Sequence, residues 1–146
     1  MKEKKDQGAY KNRISDKIKF IKDSLGDLDS IIPERLEDYE DDLLKKAACE
    51  RYFERIICAL VDLSYLFIKY RNFDFPESET HVFEILQEQG TISNELSDKL
   101  IEANKMRNVI AHLYADVNDK IVFNALKHEL ESDAYELIKD IEGSLG

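Results

Sequence analysis

The sequence predicts an all-α protein. Three observations carry that reading. Only 5 Gly and 2 Pro occur in 146 residues, too few turn formers for a fold of short strands. Charged residues make up 36% of the chain and are rich in Lys, Glu and Asp. Apolar residues recur at steps of three and four, the period of a helix face. With 43% hydrophobic content the length supports one core and leaves no room for a second domain.

Residues 1–12 carry Lys2, Lys4 and Lys5 with no apolar period, and are expected as a flexible, frayed segment ahead of a single domain over 13–146. Ile14, Ile18, Ile21, Leu25, Leu28 and Ile32 then mark an amphipathic helix that Pro33 stops. After an acidic connector, a longer helix is expected from about Asp41 to Arg71. Its apolar set begins at Leu43 and Ala47 and widens toward Ile56, Leu60 and Leu63, which calls for neighbours on several sides. Within it, Arg51 and Glu54 form an attractive i,i+3 pair.

Residues 72–76 read as a turn with two aromatics, Phe73 and Phe75. A short helix from about Thr80 to Gln89 ends at Gly90, with His81 facing solvent at its start. Ser93 can cap a fourth helix that contains Leu96, Leu100 and Ile101. A polar turn, Asp116 to Asp119, leads to a last helix expected to about Leu145, with Ile121, Val122, Ala125, Leu126, Leu130, Tyr135, Leu137, Ile138 and Ile141 inward and His128 on the surface.

The formal net charge of −10 argues against general coating of nucleic acid, which needs Lys and Arg. The acid is unevenly spread. Between Asp27 and Asp42 there are eight acids against Arg35 alone, whereas Lys99 to His128 carries a net +2. Cys49 and Cys58, nine apart on one helix, point to opposite sides and cannot bridge. No CxxC, metal-ligand spacing, signal peptide or long apolar run is present, so no metal, no membrane span and a reducing, cytoplasmic setting are expected.

One stretch concentrates polar chemistry. Lys105 to Tyr114 holds Arg107, Asn108, His112 and Tyr114. On a helix Asn108 and His112 share one stripe, and Arg107 and Tyr114 share another. Arg107 and His112 are about 140° apart on an ideal helix. They converge if the helix ends near His112, or if a facing copy of the helix in a homodimer completes the site. Ile101, Ala103, Met106, Val109, Ile110 and Leu113 fill the rest of the surface, as a self-pairing helix requires.

An imidazole that moves a proton near neutral pH and a guanidinium that forks onto phosphate oxygens suit metal-free cleavage of RNA, with the neighbouring 2′-hydroxyl attacking. The spacing alone also describes a surface cation and an imidazole resting on the last carbonyls of a helix.

With five helices in this order, the string Arg107-Asn108-x3-His112-x-Tyr114, the Glu50-Arg51-Tyr52 entry to the long helix, the Pro76-Glu77 entry to the third and the Glu88-Gln89-Gly90 to Ser93 junction, the chain resembles HEPN-domain proteins of the HepT type. The resemblance covers nearly everything from Arg13 onward. It implies an antiparallel helical bundle that forms a homodimer and acts as the toxin endoribonuclease of a type VII-like toxin–antitoxin pair. Arg107, His112 and Asn108 would be catalytic. Tyr114 would be the phenol that an MntA-type minimal nucleotidyltransferase antitoxin modifies with AMP. ATP would be used by that partner, with no cofactor in this chain, and the substrate would be an RNA such as tRNA or mRNA. The same resemblance permits a non-catalytic helical module that binds nucleotide or scaffolds the nucleotidyltransferase.

Overall fold

The computed structural model describes residues 2–112 and 117–145, and every regular element among them is helical. Two long antiparallel helices, α1 (Lys2–Ile31) and α3 (Leu43–Arg71), make the most extensive packing in the molecule. The isoleucine and leucine stripe of α1 meets α3 as its spacing predicts: Ile14, Ile18, Ile21, Leu25 and Leu28 are all buried. α3 also touches α4 (His81–Glu88), α5 (Asn94–His112) and α7 (Leu130–Gly143). That explains the width of its apolar surface, with Phe53, Ile56, Ile57, Leu60, Leu63 and Phe67 all buried. Its first turn is different, since Leu43 is 75% exposed.

The opening segment does not fray into irregular chain. α1 is helical from Lys2, and Tyr10 packs against the core. The physical reason is an anchor at the far end of α3. Lys11 lies 5.8 Å over the Tyr70 ring, and the Tyr70 hydroxyl donates to the Leu145 carbonyl at 2.9 Å. The acidic connector is likewise partly helical. α2 (Leu36–Asp41) buries Tyr39 completely, with its ring 5.3 Å from that of Phe123. Leu36 and Tyr39, three apart, give this acidic stretch an apolar side.

Boundaries follow local chemistry. The Asp42 carboxylate accepts the Lys45 N–H at 3.0 Å to open α3, and Asn72, at φ 58°, closes it in the left-handed region. Gly90, at φ 77°, ends the α4 turn, and the Ser93 hydroxyl accepts the Leu96 N–H at 3.0 Å to start α5. His81 is half-buried rather than facing solvent, its Nδ1 accepting the Glu77 N–H at 2.9 Å. Asn118 caps α6 (Asp119–Asn124), which runs through a π-helical turn, Ala125–Glu129, into α7. No helix among the described residues is long and apolar enough to cross a membrane.

Cys49 and Cys58 are both free thiols, as their spacing requires. Burial, reinforced by the neighbouring Glu50, pushes the Cys49 thiol up to about 11, and burial raises the Tyr39 phenol as well. Both groups favour their neutral, protonated forms in the fold. For Cys49 that contribution to stability is fully present below about pH 9, where an unhindered thiol ionises, and is lost as pH rises through about 11, whereas the Tyr39 contribution is lost only at higher pH. The denaturation midpoint is expected to fall across that window. Cys49→Ala should flatten the fall, and an unchanged profile in that variant would show that the thiol does not contribute.

Candidate functional site

Three elements meet at Arg107. α5 carries the residue itself and its neighbour Asn108, α3 presents Cys58, and the connector between α3 and α4 brings Glu79. The Arg107 side chain is only 16% exposed. Its Nη1 donates to Cys58 Sγ at 2.8 Å. Its Nη2 donates to Glu79 Oε2 and to Asn108 Oδ1, both at 2.6 Å. The Nε–H is buried without a partner. Helix, helix and connector thus fix one guanidinium, and the carboxylate resting on it is 53% exposed.

His112 is exposed at the end of α5, one turn beyond Asn108. His112 is the last residue of α5 that the structure describes before residue 117. Arg107 and Asn108 are brought into contact, and His112 lies farther along the same helix. Tyr114 lies outside the described residues. Val109, between the two polar groups, is 51% exposed, an apolar side chain left uncovered on the motif helix.

Sequence reasoning missed three neighbours of the motif. Cys58 and Glu79 lie 49 and 28 residues before Arg107, and no short-range spacing links them to it. Asn104 is 1% exposed with its Oδ1 unpartnered, and its place one turn before Asn108 was the available signal.

A cavity of about 480 Å³ lies elsewhere, against the Met106 flank of α5 and the π-helical turn, and Arg107, Asn108 and His112 do not line it. These motif residues thus lie apart from that cavity. Among the described residues no group of three or more His, Cys, Asp or Glu side chains could hold a metal ion. What the junction at Arg107 offers is a nearly buried fork of N–H donors of the kind that pairs with an oxyanion.

A family profile described as "Ribonuclease HepT-like" matches residues 21–141. The chain belongs to the HepT-like family. A curated HepT relative, the mRNA nuclease HepT of Shewanella oneidensis strain MR-1, is 28% identical over 78 residues, which are 53% of this chain. The matched part spans 59% of that relative's length. The HepT-like fold recurs in the tri-AMPylated Shewanella oneidensis HEPN toxin, solved in complex with its MNT antitoxin. The TM-score there is 0.83, with 24% identity over 89% of this chain and 96% of that one. The cytosolic protein YutE of Bacillus subtilis shares it at a TM-score of 0.76, with 18% identity over 92% of this chain and 90% of the other. The all-α HEPN-type bundle read from the sequence is the fold observed.

Proposed function

We propose that this HepT-like chain is the toxin endoribonuclease of a toxin–antitoxin pair, cleaving RNA without a metal through Arg107, Asn108 and His112. The observation that carries the reading is the Arg107 guanidinium, nearly buried and paired with the exposed carboxylate of Glu79. A carboxylate and a phosphate present similar oxygen pairs to an arginine, so Glu79 occupies the place a substrate phosphate would take. Arg107 would bind the scissile phosphate and offset the charge that builds in the transition state, while His112 would take or give the proton of the 2′-hydroxyl. Asn108, bonded to Arg107, would orient it.

The exposed Val109 on the same helix supports self-pairing, through which a second copy would bring its own motif to one cleft. The partner would be a minimal nucleotidyltransferase antitoxin of the MntA type that uses ATP to add AMP to Tyr114. Tyr114 follows Arg107 by seven residues, a spacing that on an ideal helix shares its stripe, and a phosphate added there would oppose the binding of RNA phosphate. The deciding experiment is cleavage of single-stranded RNA by the wild-type chain and by Arg107→Ala and His112→Ala variants shown to be folded. Equal cleavage by all three removes the assignment.

A second result follows from Glu79. If its carboxylate competes with phosphate, Glu79→Gln is expected to tighten binding of an uncleavable RNA by about fivefold. Titration by fluorescence anisotropy checks this, and weaker binding would make Glu79 a positioning residue for Arg107 instead.

A further inference from the structure

Between α1 and α3 runs a groove of about 270 Å³ lined by Lys17, Phe20, Arg51, Glu54, Arg55 and Cys58 among others. Arg55 is exposed, and its guanidinium lies 5.3 Å from the centre of the Phe20 ring and 5.9 Å from that of Tyr52. Lys17 places a second cation 5.7 Å from the same Phe20 ring. Among the described residues no carboxylate comes within salt-bridge distance of Arg55. In a chain with a formal net charge of −10, this is a cation braced by aromatic rings and, among the described residues, without an ion-pair partner.

The groove and the Arg107 junction share one residue, Cys58. Cys58 lies one helical turn from Arg55 and accepts the Arg107 N–H on its sulfur. Arg55 and Arg107 therefore flank a single thiol. Aromatic rings accept no ordinary hydrogen bond, so Arg55 keeps its N–H donors for an incoming oxyanion. The cations over Phe20 also take up its ring surface, which favours backbone phosphate over a stacked base as the ligand. The other charges of the groove sit in loose pairs, Lys17 with Asp62 at 3.6 Å and Arg51 with Glu54 at 3.4 Å, and such exposed pairs exchange for phosphate at little cost.

We propose that this groove, with Arg55 and Lys17 held over Phe20, binds the backbone phosphate next to the scissile one in a single RNA strand. The inference rests on the nuclease reading above and adds the path by which the strand leaves the Arg107 junction. Arg55 is a binding residue for a flanking phosphate and takes no part in the bond-breaking step.

The test is equilibrium binding, by fluorescence anisotropy, of a fully 2′-O-methylated single-stranded RNA, which lacks the attacking hydroxyl, across a range of salt concentrations. Arg55→Gln should weaken binding about tenfold at low salt and reduce the slope of log affinity against log salt by about one. Phe20→Leu should weaken binding in the same direction although it removes no charge. Lys139→Gln, which deletes an equally exposed charge on α7, should stay within about twofold of wild type.

The proposal is overturned if Arg55→Gln matches wild type in affinity and slope, or if Lys139→Gln costs as much as Arg55→Gln. Cleavage of the unmodified strand is read in parallel. Cleavage by wild type together with an unaffected Arg55→Gln removes the groove and keeps the nuclease. A wild-type chain that neither cleaves nor binds removes both.

Discussion

Arg107→Ala is expected to lower RNA cleavage by about 10²- to 10³-fold, the usual loss when one donor to a developing oxyanion is removed. The fold should survive. The Glu79 side chain that would lose its partner is 53% exposed and can turn to water, and Cys58 loses only a bond to sulfur. Arg107→Lys keeps the charge but not the planar fork that meets Cys58, Glu79 and Asn108 together, so it should recover only a small part of the activity. His112→Ala should be impaired on a similar scale through loss of proton transfer. The double variant should be little worse than the more damaged single one, because both groups serve one step. Single-turnover cleavage of a labelled RNA strand checks all four variants. Independent, multiplying losses would place the two side chains in different events.

Phe67→Ala is expected to cost about 3–5 kcal/mol, a large share of the roughly 5–15 kcal/mol that holds a typical domain folded. Phe67 is 0% exposed near the end of α3, with the rings of Tyr70 and Phe73 each 6.2 Å away and the Arg71 guanidinium 5.9 Å from its centre. Removing the ring would open a hole where α3 gives way to the connector that carries Glu79. Phe75→Ala makes the control. Phe75 is 77% exposed, and its loss should stay within about 0.5 kcal/mol. Denaturant midpoints measure both, and equal effects at the two positions would contradict this account of the cluster.

The helix-forming pattern was legible wherever one stripe met one partner. The α1 spacing alone placed Ile14 through Leu28 inward, and the caps at Ser93 and Gly90 follow from residue type. Legibility failed where the ordering force acts at a distance. Nothing local announces that Lys11 and Tyr70 would hold the start of α1 in a helix, or that Tyr39 would find Phe123. The site shows the same division. Arg107, Asn108 and His112 could be singled out because they are neighbours in the chain. Cys58 and Glu79, which fix how the guanidinium is held, reach it only through the packing of α3 and its connector.

In the last helical stretch Ile121 and Tyr135, expected inward, are 56% and 40% exposed, whereas Ala134 is buried. Buried residues there step by four from Val122 through Leu126, Leu130 and Ala134 to Ile138. On an unbroken α-helix four such steps would drift about 160° around the axis. The wider turn at Ala125–Glu129 takes up part of that drift. The rod therefore keeps two rotational settings, one for α6 beside Tyr39 and another for α7 beside α3 and α5, joined by a built-in slip of register. Either half can be repacked by substitution without forcing the other to rotate, a freedom that a continuous α-helix of the same length would not have.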